Sequence, residues 1–111
     1  MIYNDRGNAR HLSGDFKGAI DDFNKAITLH PDYPSALNNL AVSLSGNKDD
    51  KTAMETFNKI INLNSEFGIA YLNRGQLKEL QGDIGGACAD WKTAEKLGIT
   101  EATGYLKEYQ K

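Results

Sequence analysis

Between Gly14 and Pro31 the apolar residues Ala19, Phe23, Ala26 and Ile27 recur at helical spacing, with Asp21, Asp22, Asn24 and Lys25 among them. That spacing of i, i+4, i+7 and i+8 puts the four on one face of an α-helix. The same face returns as Ala53, Phe57, Ile60 and Ile61, and again as Ala87, Trp91 and Ala94, each step being 34 residues without a gap. Leu29, Leu63 and Leu97 keep the same register, as do the small residues Gly7, Ala41 and Gly75 ahead of each copy. A fixed period of this length marks a stack of like units, each burying its apolar face on the next.

The pattern predicts seven helices: residues 1–12, 15–29, 34–45, 49–63, 67–80, one beginning after Asp83, and a last one from about 100 to 110. An alanine on the shared face lets a second helix approach, and the aromatic four residues on fills the space beside that contact. Asp15, Asp49 and Asp83 each follow a turn and are placed to accept from the free amides that open a helix. Pro31 has no amide proton to continue the second helix, while Pro34 suits a first helical position, where no such proton is needed. The third helix carries Leu37, Leu40, Ala41 and Leu44 as an unbroken stripe, and the fifth turns Ala70, Tyr71, Gly75 and Leu77 inward. In the last segment Ala102, Tyr105, Leu106 and Tyr109 share a face opposite Glu101, Lys107 and Glu108, which predicts a helix covering the end of the stack.

The pattern Gly7…Phe16-x2-Ala19-x3-Phe23-x2-Ala26…Pro31, repeated in register, resembles the tetratricopeptide repeat (TPR). That resemblance implies an all-α, right-handed superhelix of three antiparallel helix pairs plus a capping helix. It divides the chain as one domain, 1–111, with repeats at about 1–33, 34–67 and 68–101. Departures from the pattern are Asp50 in place of an aromatic or aliphatic residue, Ser65 and Ile99 in place of the closing proline, and Arg10 where an aromatic is common. The run Gly86–Gly98 followed by a capping helix resembles the closing unit of many bacterial members of the family.

Composition adds exclusions. With 13 Lys and Arg against 15 Asp and Glu, the formal net charge of −2 offers no basic surface for nucleic acid or an anionic membrane. The single cysteine, Cys88, has no internal disulfide partner and reads as a small packing residue. No apolar run reaches transmembrane length and the first residues are polar, so a soluble setting is expected, cytoplasmic where Met1 is the natural start. His11 and His30 lack metal-ligand spacing, and Gly82-Asp83-Ile84-Gly85-Gly86 follows a helix where a phosphate loop would follow a strand. The adjacent carboxylates Asp21-Asp22 and Asp49-Asp50 read as solvated faces. No nucleophile, metal site or cofactor motif emerges, so the expectation is a chain that is not an enzyme and takes no cofactor.

The family resemblance implies that the first helix of each repeat lines a concave groove in which an asparagine bonds a bound peptide's backbone. By register the expected peptide-binding residues are Asn4, Asn8, Asn38, Asn39, Val42, Ile69, Leu72, Asn73 and Gln76. Asparagine is a poor helix former, so its concentration on these helices is not explained by propensity. Members that clamp a terminal carboxylate use two lysines, two asparagines and an arginine. Here Asn8 and Asn39 match the asparagines, while Asn4, Ile69 and Asn73 stand at the three cationic positions. The expected partner is therefore a protein or peptide held by an internal or mixed-polarity segment, with weak salt dependence. The alternative is a structural unit of a longer array, or a scaffold that self-associates weakly through an apolar N-terminal face at Tyr3, Leu12 and Phe16.

Overall fold

The computed structural model describes residues 2–109 as seven helices: α1 (Ile2–Leu12), α2 (Phe16–Leu29), α3 (Pro34–Gly46), α4 (Asp50–Leu63), α5 (Gly68–Leu80), α6 (Ile84–Lys96) and α7 (Glu101–Glu108). No strand occurs among the described residues. Each boundary among the described residues lies within one or two residues of the expected one; the expected start of the first helix at Met1 and the expected end of the capping helix at 110 lie outside the described residues. The three aspartates cap as their positions predict: Asp15 accepts from the Gly18 amide, Asp49 from Thr52 and Asp83 from Gly86. Pro34 opens α3 at its first turn.

The helices pack as pairs, α1 on α2, α3 on α4 and α5 on α6, and each pair stacks on the next through α2 on α3 and α4 on α5. Helix α7 closes the stack on α6. Beyond these neighbours, α1 touches α3 and α3 touches α5, with no comparable contact among α2, α4 and α6. The first helices therefore lie on the inner side of the curve and the second helices outside, giving an elongated superhelix of 42 × 25 × 21 Å.

The core explains the sequence period. Ala19, Phe23, Ala53, Phe57 and Ile60 join Leu37, Leu40, Ala41 and Leu44 in one buried cluster, and Ala87, Trp91 and Ala94 join Ala102 and Leu106 in a second. The small residue ahead of each aromatic is sterically required at both ends of the stack. A β-carbon on Gly7 would stand 2.6 Å from the Phe23 ring, and one on Gly75 would stand 2.6 Å from Trp91 Nε1. Cys88 packs half-buried at the edge of the second cluster. Tyr105 of α7 and Tyr109 directly after it lie against Trp91, with ring centroids 5.3 and 5.9 Å away.

Asp22 is not on a solvated face but fully buried, held by Arg6 through two hydrogen bonds of 2.9 and 2.7 Å and by Arg10 at 3.4 Å. The Arg6 guanidinium keeps the Asp22 carboxyl below its ordinary value despite burial, and Asp22 in turn raises Arg6. A buried carboxylate is tolerated when its oxygens are bonded in this way. Of the three residues expected to form an apolar N-terminal face, Leu12 is exposed and Tyr3 half-buried, while Phe16 turns toward the second helix pair and packs where a β-carbon on Gly46 would sit.

Candidate functional site

The inner helices α1, α3 and α5 bring their amides together across the repeat boundaries. Asn39 Nδ2 donates to Asn4 Oδ1 at 3.2 Å, and Asn73 Nδ2 donates to Asn38 Oδ1 at 3.0 Å. Gln76 Nε2 donates to the Tyr105 hydroxyl at 2.7 Å, which ties the capping helix to the end of the same row. Each amide spends only part of its capacity, because a carboxamide has two donor hydrogens and two acceptor lone pairs. The bonded network links the three inner helices through their side chains, with Asn4 and Asn38 buried beneath the row.

Two adjoining cavities open along this row. The larger, about 220 Å³, is lined by Asn8, His11, Phe23, Asn38, Asn39, Val42 and Asn73. The smaller, about 110 Å³, shares Val42 and Asn73 as a wall and continues along Ser45, Phe57, Gln76, Leu77 and Leu80. Neither cavity is lined by lysine or arginine. At the same end of the row as the capping helix, the Tyr109 hydroxyl donates to Glu79, and that carboxylate pushes the phenol up to about 12.

Of the nine expected groove residues, Asn8, Asn38, Asn39, Val42 and Asn73 line the larger cavity and Gln76 the smaller. Asn4 reaches the row through its bond to Asn39 and is otherwise buried. Ile69 is exposed and lines neither cavity. Leu72 is only 7% exposed: it packs in the second core cluster, and its carbonyl accepts from Trp91 Nε1 at 3.3 Å. The expectation passed over His11 and Ser45, and Leu77 and Leu80. His11 and Ser45 stand 34 residues apart on successive inner helices, so the period that located the asparagines also marks them. His11 Nδ1 lies 2.9 Å from the hydroxyl of buried Ser43, linking α1 to α3 beneath the cavity.

Comparison with known proteins agrees with this architecture. Family models described as TPR repeat and tetratricopeptide repeat match residues 7–48 and 34–67. A tetratricopeptide repeat protein 36 homolog from Nematostella vectensis is 43% identical over 68 residues, covering 61% of this chain and 38% of that protein. Tetratricopeptide repeat protein 36 from Xenopus tropicalis is 37% identical over 90 residues, covering 78% of this chain and 45% of its own length. The chain thus spans less than half the length of these relatives. Among solved structures, the first TPR of Spaghetti (RPAP3) bound to the HSP90 peptide SRMEEVD superposes with a TM-score of 0.87 at 25% identity, covering 96% of this chain and 86% of that one. The first TPR domain of human RPAP3 gives 0.89 at 25% identity with the same coverage. The expected likeness to bacterial closing units gains no support from these animal proteins.

Proposed function

The chain belongs to the tetratricopeptide repeat family, and from that premise we propose that it is a non-catalytic protein-interaction module holding an extended peptide or partner segment along α1, α3 and α5. The observation that carries this reading is the row of part-satisfied amides, Asn4–Asn39 and Asn38–Asn73, beside two cavities that share Val42 and Asn73. Amides offer donor and acceptor together, which suits a ligand backbone, and the cavities take side chains. The RPAP3 neighbour binds a peptide with three acidic residues, but this groove has no lysine or arginine on its cavity walls. An internal segment therefore fits better than an acidic tail.

The test compares binding of a partner captured by the intact chain to Asn39→Ala, Asn73→Ala and the outer-face control Lys59→Ala. Each groove variant is expected to weaken binding by about 1 kcal/mol, the usual worth of a hydrogen bond, with Lys59→Ala unchanged. Equal binding by all three variants sinks the assignment.

A second reading rests on the opposite end of the stack. Ile2 is 80% and Leu29 63% exposed, and they flank an apolar cleft of about 230 Å³ with Tyr3 and Ala26. The residues 34 positions after Ile2 and Tyr3, Ala36 and Leu37, are buried. That difference favours a face that continues a repeat array or pairs weakly with a second copy, and sedimentation across protein concentration separates this from a simple monomeric binder.

A further inference from the structure

All four lysine and arginine side chains of the inner helices are already engaged. Arg6 and Arg10 hold Asp22, Arg74 and Lys78 hold Asp90, and α3 carries no charged residue. The charged side chains in register with the groove are acidic. Asp5 stands 34 residues before Asn39, on the larger cavity, and Glu79 stands 34 residues after Ser45, on the smaller. Asp50 lies beside the smaller cavity, where its Oδ1 accepts from Ser45 at 3.4 Å.

The smaller cavity is also open for a reason that belongs to this chain. At the first junction the Phe16 ring covers Gly46. At the second junction the equivalent residues are Asp50 and Leu80, so no ring covers the leucine and it stands 78% exposed. Val42, Leu77 and Leu80 are left as aliphatic walls with a carboxylate nearby. An aliphatic side chain gains by leaving water there, and a positive neighbour gains from the local field.

Resting on the groove reading above, we propose that the ligand is an internal extended segment that places an aliphatic side chain against Val42, Leu77 and Leu80 and a neighbouring lysine or arginine toward Asp50 and Glu79. The groove selects basic-aliphatic segments and discriminates against acidic tails. Negative potential does this at range, and the uncovered Leu80 does it by contact.

Two heptapeptides test this with the intact chain: SRMEEVD with a free C-terminus, and SRMKKVS capped at both ends. At low ionic strength the basic peptide is expected to bind about tenfold more tightly, the gap narrowing at about 0.15 M salt as exposed charges are screened. The triple variant Asp5→Asn, Asp50→Asn, Glu79→Gln should bring the two peptides close to parity. Leu80→Ser should weaken the basic peptide about fivefold by removing apolar contact. Equal or tighter binding of the acidic peptide overturns the proposal, as does binding of neither peptide or indifference to both sets of substitutions. If binding still falls in Asn39→Ala while the charge ranking is reversed, the groove reading stands and only this inference fails. If the basic peptide binds and neither Asn39→Ala nor Asn73→Ala changes its affinity, the groove reading fails as well.

Discussion

The outer and middle helix pairs close the same seam with opposite chemistry. In the first pair Arg6 and Arg10 meet buried Asp22, and in the third Arg74 and Lys78 meet buried Asp90, the two sets lying 68 residues apart at every position. In the middle pair the corresponding residues are Leu40, Leu44 and Thr56, with both leucines buried. A seam of one shape therefore accepts either a bonded ion cluster or aliphatic packing. The bridges are better read as one of two solutions than as the source of the fold's stability, since a buried ion cluster often roughly breaks even against apolar residues of similar volume. The two ends also differ from each other: Arg6 is 46% exposed, whereas Arg74 is 19% exposed and donates to Asn58 as well as Asp90.

The largest expected effect comes from mixing the two chemistries. Thr56→Asp places a carboxylate at the half-buried middle-seam position, where α3 offers Leu40 and Leu44 and no charged residue to meet it. A loss of about 2–4 kcal/mol in urea melts is expected, from the desolvation of a charge left unpaired. Adding Leu40→Arg should recover a substantial part of that loss, because it rebuilds the outer pairs' arrangement 16 residues apart, as in Arg6–Asp22 and Arg74–Asp90. A double variant no more stable than Thr56→Asp alone would show that the middle seam is not equivalent to its neighbours.

A smaller effect at neutral pH, and a clear one in acid, is expected from the reverse transplant, Arg6→Leu, Arg10→Leu and Asp22→Thr. Near pH 7 the change should lie within about 1 kcal/mol of the parent. Asp22 has a carboxyl lowered below its ordinary value, so its contribution is present above the ordinary carboxylate range and is lost as pH falls through the lower folded value. The parent should therefore lose stability below about pH 4 more steeply than the transplant. Parallel acid profiles for the two proteins would mean that Asp22 is not the group that titrates.

How far the sequence discloses all this depends on what repeats. Ala19, Phe23 and Ala26 were legible because three copies in register average out accidents, and the aspartate caps because each follows a turn. Asp22 does not disclose its burial locally, because a carboxylate beside Asp21 looks solvated. Its partner lies 16 residues back on another helix, and the pairing appears in sequence only when residues 68 apart are compared. In the groove the row of asparagines was legible by period. Their mutual bonds join residues 35 apart, one out of the repeat register, since each inner helix is displaced against the next. For Leu72 register locates a helix face but does not disclose that the side chain packs in the second core cluster, with its carbonyl accepting from Trp91.

The smallest expected effect lies in the turn that joins each pair. Gly14 and Gly82 occupy it with φ of +86° and +85°, and Lys48 occupies the middle copy with φ of 65°, the only non-glycine described with a positive φ. A residue with a β-carbon is strained there, because the β-carbon crowds the following carbonyl at about 1–2 kcal/mol. Glycine removes that strain but adds freedom to the unfolded chain, which offsets part of the gain. Lys48→Gly should therefore stabilise the protein by about 0.5–1 kcal/mol, raising the melting temperature by a few degrees. Gly14→Ala and Gly82→Ala should each move it the other way by a similar amount. These substitutions leave both seam chemistries untouched, so they measure the turn alone. If Lys48→Gly lowered stability, the exposed lysine would be contributing something that its backbone geometry does not show, and the middle pair would differ from its neighbours by more than the seam.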